Sequence, residues 1–192
     1  MPINIQEQAE DNLRFIRSAM ERAERVSAVS GAGAMAMGLI ALLAMAVSAS
    51  SADLTAQLVV WIATAFVAGG VGAIACALKA RKNGMPFFAD PGRRFLLCLI
   101  PSLLVGVVLT AALLPSDQVG LLPGLWMMLY GAGVLAAGTY AVPPVMHMGG
   151  SFLIVGGFAQ ALPESWSNVL LGLSFGLLHL FFGYQVYKHH GG

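Results

Sequence analysis

Six apolar runs, each about as long as the hydrocarbon core of a bilayer is thick, constrain this chain more than any other feature of its sequence. A helix needs about 20 apolar residues to cross that core. Charged residues make up only 10% of the chain, against about 25% in soluble domains, so lipid must be the main solvent. The sequence therefore predicts an all-α transmembrane bundle of about six spans, near residues 28–48, 57–78, 95–114, 121–141, 145–162 and 168–187.

The fifth run is the weakest of the six. It is short, and it carries the polar residue Gln160 near its far end. It also contains four glycines, Gly149, Gly150, Gly156 and Gly157. A re-entrant segment, which enters and leaves the membrane on one side, is therefore the alternative to a full crossing.

The basic residues orient the spans, because the cytoplasmic connections of membrane proteins carry an excess of Lys and Arg. Those of this chain precede span 1, separate spans 2 and 3, or follow span 6: Arg14, Arg17, Arg22, Arg25, Lys79, Arg81, Lys82, Arg93, Arg94 and Lys188. The three tryptophans, Trp61, Trp126 and Trp166, fall near the opposite face, as interfacial aromatic residues do. The pattern predicts that both termini lie in the cytoplasm.

Residues 1–27 precede the bundle of residues 28–192 and have the pattern of an amphipathic helix. Apolar residues recur at spacings of three and four: Ile5, Ala9, Leu13, Ile16, Met20 and Ala23. On the other face, Glu10 and Arg14 are spaced for an ion pair. Two interpretations remain open. The helix lies on the inner leaflet or the bundle, or it docks a cytoplasmic partner or second copy through Leu13, Ile16 and Met20.

Glycines at helical spacing predict close contacts between spans, because small residues let transmembrane helices approach each other. Span 6 places Gly172, Gly176, His179 and Gly183 on one face. Spans 4 and 5 contain glycines seven residues apart: Gly131 and Gly138, Gly149 and Gly156, and Gly150 and Gly157. These seams favour a compact helical unit over a wide pore.

His179 is the candidate site residue, because a polar side chain at mid-membrane depth should face protein. An interhelical hydrogen bond to a Ser, Thr, Tyr or carbonyl group is one interpretation. The other is ligation of a haem or chlorophyll-type cofactor. Bis-histidine haem needs two histidines at similar depth, and His147 lies at the cytoplasmic edge instead. We therefore expect no resident cofactor or metal ion.

Sequence motifs for chemistry are missing. The nine acidic residues lie outside the spans or at their ends, and no nucleotide-binding, metal-binding or nucleophile motif is present. Cys76 and Cys98 each lie in an apolar run, which is typical of buried free thiols. The net charge of +1 gives no attraction for nucleic acid. The chain is not expected to be an enzyme.

The leading interpretation is a non-enzymatic membrane module, an accessory, regulatory or scaffold subunit. Its partners would be membrane lipids and either other membrane subunits or further copies of itself. The first alternative is a transporter or channel for a small solute or lipid. It is favoured by the glycine-rich spans 4 and 5, by Pro101 within span 3, and by a weak internal repeat between residues 31–38 and 131–138. The second alternative is a haem- or pigment-binding subunit that uses His179.

Three stretches resemble an uncharacterised group of small bacterial six-span membrane proteins. They are DNLRFIRSAMERAERVSAVSG, LPGLWMMLYGAGVLAAG and LLGLSFGLLHLFFGYQV. The resemblance implies six spans and a bacterial inner-membrane location. It implies no activity and no site residues.

Overall fold

The computed structural model describes residue 8 and residues 10–16, 29–51, 53–84 and 90–190, and the regular structure in these ranges is helical. One helix corresponds to each predicted span: α1 (Gly31–Ser48), α2 (Leu54–Lys82), α3 (Asp90–Leu113), α4 (Leu122–Gly138), α5 (Pro143–Ala159) and α6 (Glu164–His189). Five of them are long and apolar enough to cross a membrane, α4 when the 3-10 turn Val119–Leu121 before it is included, and α5, with 17 residues, falls just short. The all-helical prediction is confirmed for the described residues.

Local chemistry explains where several helices begin and end. The Ser30 hydroxyl accepts a hydrogen bond from the Gly33 amide at 3.2 Å, which caps α1. The Asp53 carboxylate accepts two amide hydrogen bonds at the start of α2, at 3.3 and 3.0 Å. Proline occupies the first turn of α4 and of α5, where no amide hydrogen is needed. Gly84, with φ of +67°, follows the end of α2 in a conformation that favours glycine.

The helices form two groups that meet at α6. Helix α1 packs against α2 and α6, whereas α4 packs against α5 and α3. Helix α6 also contacts α5 and α4 and so joins the groups. The core between them contains Met127, Val134, Val145, Met148, Phe152, Leu171 and Val186. Helices α2 and α3 therefore lie at the periphery of the bundle.

Opposite charges gather at opposite ends of the bundle. The basic end carries Lys79, Arg81, Lys82, Arg93, Arg94 and Lys188, and the acidic end carries Asp53, Asp117 and Glu164. The Lys79 ammonium donates to the carbonyl oxygens of Val29 and His190, at 3.1 and 3.2 Å. This buried lysine ties the end of α2 to the start of α1 and the end of α6.

The described part of the N-terminal segment, residues 10–16, is helical. Leu13 and Ile16, two of the predicted docking residues, are 66% and 52% exposed. Arg14 lies 3.8 Å from the carboxylate of Asp11, so its described ionic partner is not the predicted Glu10. Met20 and most of residues 1–27 lie outside the described residues.

Candidate functional site

Glycine contacts run along the whole length of the α4–α5 pair. A Cβ atom built on Gly131 would lie 2.8 Å from the carbonyl oxygen of Gly149. One built on Gly156 would lie 3.0 Å from the carbonyl oxygen of Gly124, near the acidic end. At the basic end, a Cβ on Gly138 would lie 2.8 Å from the Cα atom of Met146. Any side chain larger than hydrogen would force these two helices apart.

A second glycine seam joins α6 to α1. Gly172 packs against the side chain of Met45, and Gly176 against that of Leu42. A Cβ on Gly183 would lie 3.0 Å from the carbonyl oxygen of Gly31. The structure thus places seven of the nine glycines singled out from the sequence at helix–helix contacts. Gly150 and Gly157, the other pair in α5, have no neighbouring atom within 4 Å of a built Cβ.

His179 does not share the contact surface of these α6 glycines. They face α1, whereas the imidazole of His179 contacts Tyr130 of α4 and Phe152 of α5. The five residues Ser174–Leu178 immediately before it form a π-helical segment. Each residue of a helix is rotated by about 100° from the one before, so His179, three residues after Gly176 and four before Gly183, lies at the edge of the glycine face, where it reaches α4 and α5. The histidine consequently joins the two helix groups.

The Tyr130 hydroxyl and Nε2 of His179 form a hydrogen bond of 2.7 Å in the middle of the bundle. Only 2% of His179 is exposed. The centroid of its ring lies within 6.0 Å of the centroids of three other aromatic rings, those of Tyr130, Phe152 and Phe175. This is an interhelical hydrogen bond of the kind considered from the sequence. In one tautomer the hydroxyl donates to Nε2, and in the other Nε2 donates to the hydroxyl.

Two buried polar atoms near this pair have no hydrogen-bond partner, Nδ1 of His179 and Oγ of Ser174. Nδ1 faces the carbonyl group of Phe175, one turn earlier, but without standard hydrogen-bond geometry. Both residues border or belong to the π-helical segment, and such segments are frequent at functional sites. A haem or pigment that bound Nε2 would have to displace Tyr130. His147 lies at the basic end, in the first turn of α5, and therefore at a different depth.

A cavity of about 230 Å³ opens at the acidic end, between the connections that lead into α4 and α6. Its polar lining consists of Asp117, Gln118, Gln160 and Glu164. Gln160 donates to the carbonyl oxygen of Leu121 at 3.4 Å, and the Glu164 carboxylate lies over Gly120. Within the described residues, no three His, Cys, Asp or Glu side chains are grouped to hold a metal ion.

A polar contact at the acidic end holds α1, α2 and α6 together. The indole of Trp61 donates to the side-chain oxygen of Asn168 at 3.1 Å, and the Asn168 amide donates to the carbonyl of Met45 at 3.1 Å. Neither this contact nor the Tyr130 and Lys79 contacts follow from sequence spacing, because each joins residues about 50 or more positions apart. The one sequence signal for these contacts was Tyr130, a tyrosine in the middle of an apolar run.

No protein-family model, curated protein sequence or solved structure matches this chain.

Proposed function

We propose that this chain is a non-enzymatic module of the bacterial inner membrane, a subunit that acts by contacting other membrane subunits or further copies of itself. The unequal burial of its helices carries the proposal. In the most apolar stretch of each helix, 39% of residues are buried in α1 and α4 and 44% in α6, but only 11% in α2 and 6% in α3. The inner helices form a packed core, and the peripheral ones present broad surfaces for association.

The proposal includes six crossings, with both termini in the cytoplasm. Helix α5 contacts α4 from Gly124 to Gly138, so a membrane that α4 crosses should also be crossed by α5. Its 17 residues lie at the short end of the range for transmembrane helices. The six Lys and Arg residues at the basic end support a cytoplasmic location for that end.

The exposed face of α2 is the candidate contact surface within the membrane. Ala65, Gly69 and Ala73 recur there every four residues and are exposed. A Cβ built on Gly69 meets no atom within 4 Å. A helix from another subunit could therefore approach the α2 backbone closely. The exposed side chains of Leu13 and Ile16 supply a second surface, outside the membrane.

Cross-linking and co-purification in mild detergent test the proposal. Gly69→Leu should abolish association, because the new side chain fills the space for a partner while meeting nothing in the subunit itself. Gly157→Leu is the matched control, since Gly157 is equally open but lies on α5. Removal of residues 1–25 should also weaken association and leave membrane insertion intact. The proposal fails if all three variants retain the same partners as the unaltered protein.

A transporter or channel is the second candidate. The observation that favours it is the π-helical segment of α6, with the buried Ser174 hydroxyl inside it and the buried His179 imidazole directly after it, each with a polar atom that has no hydrogen-bond partner. Broken helices with free polar groups are found at transporter binding sites. Selective solute flux into liposomes that is lost in His179→Ala would place this function first. The absorption spectrum of the purified protein tests for a haem or pigment at the same residue.

A further inference from the structure

A shallow groove on the exposed side of α3 has a volume of about 310 Å³ and is lined by Arg93, Leu96, Leu97 and Ile100. These positions are spaced three, four and seven residues from the arginine, so they share one face of the helix. The wall of the groove is almost entirely apolar, so Arg93 lines it mainly with its methylene stem, and the guanidinium lies at its edge.

Its orientation matches the layers of a bilayer. Arg93 lies in the first turn of α3, at the basic end of the bundle. At about 1.5 Å per residue, the three aliphatic side chains lie roughly 4 to 10 Å further along the helix. If α3 crosses the membrane, the guanidinium is at headgroup depth and the aliphatic wall lies among the acyl chains.

The two adjacent arginines of this turn face different surroundings. The guanidinium of Arg94 lies over the ring of Tyr140, 5.7 Å from its centroid, and so faces the connection between α4 and α5. Arg93, which directly precedes Arg94, lines the groove instead. In the described residues from 29 onward, this end of the bundle has six Lys and Arg residues and one acid, Asp90. The surrounding potential therefore favours an anion.

We propose that the groove binds one anionic phospholipid of the inner leaflet. The phosphate pairs with the guanidinium of Arg93, whose planar donors fit phosphate oxygens. One acyl chain lies along Leu96, Leu97 and Ile100. Charge complementarity and the depth of the aliphatic wall select a lipid, because a water-soluble anion offers nothing to cover that wall. The site is separate from the surfaces proposed for subunit docking.

Native mass spectrometry of the full-length protein tests the site by titration with phosphatidylglycerol. Arg93→Gln should weaken binding of the first lipid by about fivefold, since one cation near an anionic surface contributes on that scale. Arg81→Gln is the matched control. It removes the same charge from an exposed position at the same end, and we expect less than a twofold effect.

Two further arms identify the ligand. Phosphatidylcholine should bind more weakly than phosphatidylglycerol, and inorganic phosphate should not compete with the lipid. Ile100→Trp, which fills the groove and keeps every charge, should also weaken lipid binding. Equal losses in Arg93→Gln and Arg81→Gln would overturn the proposal in favour of diffuse surface charge. Lack of preference for phosphatidylglycerol, or displacement by phosphate, would also overturn it. Native mass spectrometry counts the lipids bound to each subunit. These outcomes therefore do not depend on whether the chain associates with another protein subunit.

Discussion

At the scale of single residues, the Tyr130–His179 pair shows how a polar side chain finds a hydrogen-bond partner in an apolar interior. Water is not available there to replace a lost partner, so a buried imidazole must find one within the protein. The depth of His179 in its apolar run predicts a protein-facing side chain. It does not select the partner among the four tyrosines of the chain. The approach of α4 to the π-helical segment makes that selection.

Tyr130→Phe should lower the free energy of unfolding by about 1–2 kcal/mol, because it removes the hydroxyl and leaves Nε2 of His179 without its partner. Tyr187→Phe removes the same atom from a side chain that is 51% exposed, and we expect a change of less than about 0.5 kcal/mol. Equilibrium unfolding in mixed micelles measures both variants. Equal effects would show that the hydrogen bond does not stabilise the fold.

At the scale of helices, the α4–α5 pair depends on which of two glycine pairs faces the neighbouring helix. Gly149 and Gly156 share one face of α5, and Gly150 and Gly157 share another. Both pairs have the same spacing, so periodicity predicts a contact face without saying which pair forms it. The structure places Gly149 and Gly156 against α4, where main chains meet.

Gly149→Ala should destabilise the protein by about 1–3 kcal/mol, because its methyl group would collide with the main chain of Leu135 in α4. Gly150→Ala, one residue later, adds the same methyl group where no atom lies within 4 Å. It should be neutral or slightly stabilising, since alanine favours helix more than glycine does. Thermal unfolding of the two variants in detergent compares them. A destabilisation by Gly150→Ala as large as that by Gly149→Ala would contradict the helix pairing.

At the scale of the whole molecule, the separation of charges follows from the alternating direction of the helices. Six helices that alternate in direction bring the end of α2, the start of α3 and the end of α6 together, and with them the six described Lys and Arg residues of the bundle. The buried ammonium of Lys79 bonds carbonyls at the ends of two other helices there. Trp61 and Asn168 join helices at the opposite end. Polar contacts at both ends of the bundle, and glycine seams between those ends, thus hold the helices together.

Thiol labelling of single cysteines in whole cells tests the topology, in a background where Cys76 and Cys98 are replaced by alanine. Leu162→Cys, after α5, should react with an impermeant reagent from outside. Thr139→Cys, before α5, should react only after the membrane is permeabilised, because a full crossing separates the two positions. Asp117→Cys and Lys188→Cys serve as outer and inner controls. Labelling of positions 139 and 162 from one side would instead indicate a re-entrant α5.

The helical class, the number of helices and the end at which cations gather follow from the sequence alone, whereas the limits of the helices differ from the predicted spans, as at Asp90, where α3 begins before the predicted residue 95. These properties depend on composition and on residues a few positions apart, so local patterns suffice to predict them. The partners of His179, Lys79 and Gly149 were decided only by the tertiary structure. Each depends on which helix, distant in the chain, packs against that residue, and the α-helical spacing of the glycines does not say which neighbouring helix His179 reaches.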